Sequence, residues 1–150
     1  MNELMLFGAL SARRTEQALL RGNAVTERFG LTLTPEQCGR LLERRAEALR
    51  ETERIEPGEG ILPKLAVALC DSPCVGPENW EDALGGLTEL FYHFKGACGE
   101  RLGDDELLAA LVRLYNGWAG GCADRIADLD GRAMLRFART GRVGGPAAYG

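Results

Sequence analysis

Gly86–Trp118 reads GLTELFYHFKGACGERLGDDELLAALVRLYNGW, and its two apolar stripes decide the fold. With Leu84 just upstream, Leu87, Phe91, Phe94 and Cys98 recur at alternating three- and four-residue steps. After the break at Gly99-Glu100-Arg101-Leu102-Gly103-Asp104, Leu107, Leu111, Leu114 and Trp118 do so again. That spacing places each set on one face of a helix. Two such helices joined by a short break bury a shared seam. The pattern predicts an all-α, single-domain antiparallel bundle of five to six helices over residues 1–140, followed by a flexible tail over 141–150.

The flanking sequence reads the same way. A first helix is expected from about Ala12 to Arg28, closed by Phe29-Gly30 with glycine in the left-handed cap position. Thr34-Pro35-Glu36-Gln37 is the sharpest local signal. Threonine caps, proline takes the first helical position, and the glutamine reaches back to the cap's own N–H. This second helix carries Cys38, Leu41, Leu42, Arg45, Ala48 and Leu49 on one side and should end near Arg54. Pro57-Gly58-Glu59-Gly60 breaks the chain. A third helix from Ile61 to Cys70 tolerates Pro63 in its first turn and stops at Asp71-Ser72-Pro73. A fourth should run from about Pro77 to Cys98, with Gly85-Gly86 marking a kink or a close helix approach. Asp104 is expected to cap the fifth. A sixth piece is expected from Cys122 to Arg139, with Asp130-Gly131 as a break.

Composition sets outer bounds. The chain has 150 residues, 45% of them hydrophobic and 27% charged, which suits one globular domain with a core of its own. Its longest apolar runs, Leu65–Cys70 and Leu107–Val112, fall far short of the ~20 residues that span a bilayer. The apolar patch within Met1–Leu10 has no basic lead-in and carries Glu3, so it makes a poor signal peptide. A cytoplasmic setting follows. Five cysteines, an odd number, are expected to be reduced, with Cys38, Cys70, Cys98 and Cys122 behaving as small hydrophobes among helical neighbours.

Charge is uneven. Residues 1–54 carry nine basic and eight acidic side chains, residues 55–130 five and fourteen, and residues 131–150 four arginines and no acid. An acidic body with net charge −4 sets a dedicated nucleic-acid binder aside.

Candidate chemistry is sparse. His93 is the single histidine, flanked by Tyr92 and Phe94, and no nucleophile or carboxylate is placed beside it by spacing. Cys70, Cys74, Cys98 and His93 could in principle supply a tetrahedral zinc set, but the two-residue knuckle of structural zinc sites is missing. Asp104-Asp105-Glu106 and Glu81-Asp82 fall in first helical turns, where acids favour the positive end of the dipole. Trp118 is assigned to the core stripe; for Tyr115 and Trp80 core membership is favoured over a position at an interface rim. Tyr92, His93, Tyr115 and Asn116 are the candidates for a binding site. No catalytic residue, metal ligand or cofactor is assigned.

Phe29-Gly30-Leu31-Thr32-Leu33-Thr34, Cys70-Asp71-Ser72-Pro73, and Phe91-Tyr92-His93-Phe94-Lys95 followed by Asp104-Asp105-Glu106-Leu107 resemble a small bacterial family of uncharacterised proteins, a domain of unknown function. The likeness covers about residues 20–130. It implies one compact, mostly helical unit and brings no catalytic residues.

The reading that follows is a non-enzymatic helical domain acting through a protein partner or as a homodimer, with no membrane segment. Two alternatives accompany it. One is a helix-turn-helix-like nucleic-acid binder presenting Arg40, Arg44 and Arg45 on its second helix. The other is a small-molecule or zinc site near His93, walled by Tyr92 and Asn116.

Overall fold

A computed structural model describes residues 3–143, with side chains from residue 9 onward. The described residues form seven α-helices and no strand: α1 (Glu3–Thr26), α2 (Pro35–Glu51), α3 (Leu62–Leu69), α4 (Trp80–Ala97), α5 (Asp104–Asn116), α6 (Ala123–Ala127) and α7 (Gly131–Thr140). The protein is an all-helical bundle. The expected tail over 141–150 lies almost entirely outside the described residues.

Helix ends follow local chemistry. Gly30 takes φ 76° and closes the short 3₁₀ turn Glu27–Phe29 after α1. Asn23 ties that turn to the next connector, donating from Nδ2 to the Leu33 carbonyl at 2.9 Å and accepting from the Leu33 N–H at 2.8 Å. Thr34 forms the complete capping box with Gln37. At α5 the cap is Gly103, not Asp104. The Glu106 carboxylate accepts from the Gly103 N–H at 3.0 Å, so the three acids occupy the first turn proper. The expected sixth piece is two helices, because Asp128-Leu129-Asp130 leaves the helix and Asp130 caps α7 by accepting from the Ala133 N–H.

α4 is the spine of the bundle, packed against α2, α3, α5, α6 and α7. Leu84, Leu87, Phe91 and Phe94 are buried as their spacing requires, Trp80 extends the same stripe by a turn, and Leu90 and Tyr92 are buried on other faces. α1 closes one side against α2 and α3. Gly85-Gly86 produces no break in α4; it allows close approach. A methyl group on Gly85 would stand 2.2 Å from Arg44 Nη1, and one on Gly86 would meet Ala123 Cβ at 3.6 Å.

One aromatic assignment is corrected. Trp118 leaves the core stripe because α5 ends at Asn116 and Gly117 turns the backbone away; its indole is exposed and carries the Arg125 guanidinium 4.6 Å above it. Tyr115 and Trp80 belong to the core, the favoured reading, and are 2% and 1% exposed. Cys122 is also exposed, since it precedes α6 in the link and has no helical face to join.

Candidate functional site

The four residues that stood out as a possible site go to three places. Tyr92 lies on the α2 side of α4, where its hydroxyl donates to Glu56 Oε1. Asn116 accepts from the Ser72 hydroxyl and so anchors the link between α3 and α4, within which the Cys74 N–H donates to Ser72 Oγ at 3.0 Å. Only His93 and Tyr115 share a cavity, an open groove of about 470 Å³ between α4 and α6.

That groove is built by a polar stripe on an otherwise buried helix. Asn79, Asp82, Ala83, Gly86, Glu89, Leu90 and His93 recur along α4 and its lead-in at the spacing of one helical face. Ala123, Asp124 and Ala127 of α6 form the facing wall, and Tyr115 of α5 and Gly121 of the link close one end. Small side chains at Ala83, Gly86, Ala123 and Ala127 keep the two helices near each other without filling the space between them.

Arg44 of α2 reaches across Gly85 to the groove edge. Its Nε and Nη2 hold Glu89 at 2.8 and 3.0 Å, and its Nη1 holds Asp82 at 3.1 Å. The hydrogen bond to Glu89 leads the effects that raise the guanidinium's pKa, so it stays charged. One cation thus faces two carboxylates. Asp124 adds a third, exposed and without an ion-pair partner among the described residues. The groove is net negative.

Tyr115 opens onto the groove while its ring is buried, and its hydroxyl has no hydrogen-bond partner among the described residues. Burial first, then the neighbouring Cys74, Asp82 and Cys122, push its pKa up, which keeps the phenol protonated. His93 is exposed, and its ring meets that of Phe94 in a T-shaped contact, 4.8 Å between centroids. Among the described residues no carboxylate or thiol hydrogen-bonds to the imidazole, so the base–orienter geometry of nucleophilic catalysis is not assembled. Nor do any three His, Cys, Asp or Glu side chains there converge as a metal site; His93, Cys70, Cys74 and Cys98 are not brought together. This arrangement suits holding a positively charged group.

Arg44, Asp82, Glu89 and Asp124 are the groove residues that sequence reasoning missed. Asp82 looked like a helix-start acid, and Arg44 entered only as part of the nucleic-acid-reading face of the second helix. The available signal was the polar stripe Asp82, Glu89, His93 on a helix whose central turns are otherwise mostly apolar.

The second polar cluster is interior. Arg45 Nε meets Glu56 Oε1 at 2.8 Å, Arg45 Nη2 donates to Ser11 Oγ at 3.0 Å, and the other Glu56 oxygen accepts from the Ile61 N–H at 3.1 Å. Thr15 donates to the Glu59 carbonyl at 2.8 Å. Both Glu56 carboxylate oxygens and the Nε and Nη2 of Arg45 have partners, and the network folds the 56–61 loop down onto α1 and α2.

Fold and site together define a small all-helical domain with one acid-edged groove along its spine helix. Residues 18–146 match the family of unknown function DUF6323, and the chain belongs to that family. The match extends the expected 20–130 to almost the whole chain. No curated protein and no solved structure matches it.

Proposed function

We propose that this protein is a non-enzymatic interaction domain whose α4–α6 groove docks a positively charged segment of a protein partner. The observation that carries the reading is the groove itself, open along its length and edged by Asp82, Glu89 and Asp124. Small-molecule sites are enclosing and mostly apolar, with a few polar groups converging inward. Here charged side chains line the edge, and the floor is narrow and shallow in side-chain bulk. Such a channel suits an extended or helical segment with basic side chains.

The helix-turn-helix alternative loses its reading surface. Arg40 is held by Glu81 at 2.8 and 2.9 Å, Arg44 is held by Glu89 and Asp82, and Arg45 is buried. α2 is turned toward α4, and its outward residues Glu36, Glu43, Glu47 and Glu51 would repel phosphate. The small-molecule alternative keeps His93 but loses Tyr92 and Asn116. We place the domain in the cytoplasm, a setting compatible with five free cysteines. Among the described residues no helix is long and apolar enough to cross a membrane.

A photocrosslinking amino acid at Ala127, on the groove wall, tests this in the source cells, with Glu51 on α2 as control. Protein adducts at Ala127, identified by mass spectrometry and absent at Glu51, are expected. No adduct at Ala127, or equal adducts at both positions, would overturn the proposal.

A further inference from the structure

The chain carries both halves of a charge-complementary contact. One half is the groove, where Asp124 stands unpaired and Tyr115 presents a hydroxyl with no partner among the described residues. The other half is α7. From Gly131 to Val143 there are four arginines and no acid. Arg132 and Arg139 lie seven residues apart, two helical turns, and both are exposed, as is Arg142 just beyond the helix end. None of these three makes an ion pair among the described residues.

The two fields follow one another along the chain. α6 walls the groove and leads within three residues into α7. Gly131 rests against Ala97, at the end of the helix that floors the groove. Met134 and Phe137 are buried on the inner side of α7, so this helix cannot swing into its own groove.

We infer that the groove takes the arginine face of α7 from a second copy of this chain, and that the exchange is reciprocal. The inference rests on the groove reading above and names the partner. Because acceptor and donor patches lie on consecutive helices of one chain, a two-fold axis lets each copy supply both halves, closing a dimer instead of an open chain. A guanidinium from the partner copy meets Asp124 and donates to the Tyr115 hydroxyl.

Sedimentation velocity on the full chain, from about 5 to 500 μM in ~50 mM and ~500 mM salt, tests this. A reversible dimer is expected at low salt, weakened ~10-fold or more at high salt. Asp124→Arg alone, and Arg132→Glu with Arg139→Glu, should each weaken it ~10-fold. All three changes together should recover most of the affinity. Thermal melts of each variant separate lost pairing from lost folding. A chain monomeric throughout, or a dimer indifferent to the reversals, would overturn the inference. If a monomeric chain still yields Ala127 adducts with another protein, the groove reading stands and the second-copy assignment fails. If Ala127 yields none, both fail.

Discussion

Arg45 on α2 and Glu56 in the α2–α3 loop form an ion pair inside the protein, Nε to Oε1 at 2.8 Å, with side chains only 5% and 13% exposed. Removing one partner of such a pair leaves an uncompensated buried charge. Arg45→Ala is therefore expected to lower stability by about 3–5 kcal/mol. Tyr92→Phe removes one donor to the same carboxylate and should cost about 1–2 kcal/mol. Urea denaturation of both variants checks the order. A Tyr92→Phe loss equal to or greater than that of Arg45→Ala would contradict it.

Two glycines on α4's neighbours and on α4 itself should behave oppositely. A methyl group on Gly131 would stand 2.1 Å from the Ala97 carbonyl oxygen, a backbone atom fixed by α4. Gly131→Ala should cost about 2–3 kcal/mol through forced displacement. On Gly85 the clash is with the Arg44 guanidinium, the far end of a flexible side chain. There the ~1 kcal/mol gain in helix propensity offsets the displacement, and stability should stay within about 1 kcal/mol. Denaturation midpoints distinguish the two.

The helices were legible because their signals are local. Leu84, Leu87, Phe91, Phe94 and Thr34-Pro35-Glu36-Gln37 each specify structure within a few residues. Trp118 misled because its spacing continued the α5 stripe while Gly117 had already ended the helix. The groove was half legible: His93 and Tyr115 were singled out, but their meeting depends on α5 and α6 packing on α4. Arg44 and Asp82 are 38 residues apart, and no short-range pattern announces their contact. The Arg45–Glu56–Tyr92 network was invisible for the same reason.

The cysteines should label in order of exposure. Burial pushes the Cys38 thiol from 9.0 to about 11, and raises Cys70 and Cys98 in the same direction. Cys122 is exposed and Cys74 half-buried. With iodoacetamide at pH 8, peptide mapping should find Cys122 modified ~10-fold or more faster than Cys38. Comparable rates would mean that the core around Cys38 opens readily.

Stability should fall at both ends of the pH scale. The Arg40 guanidinium holds Glu81 below its ordinary 4.5, and Arg54 does the same to Glu100. A depressed carboxyl stabilises the fold above the unfolded value and loses that contribution as pH drops through the folded one. On the alkaline side Cys38 and Tyr92 are raised, both mainly by burial. A raised group contributes fully below its unfolded value, and the contribution disappears as pH rises toward the folded one. Urea midpoints should be flat between about pH 5 and 8 and decline below and above that range. A midpoint that climbs from pH 9 to 11 would contradict this.

Amide chemical shifts during titration with a tetra-arginine peptide test the groove most directly. The account predicts saturable shifts concentrated at Asp82, Gly86, His93 and Asp124, and their loss in Asp124→Arg. Shifts spread evenly over the acidic outer face of α2, at Glu43, Glu47 and Glu51, with none along α4, would contradict it.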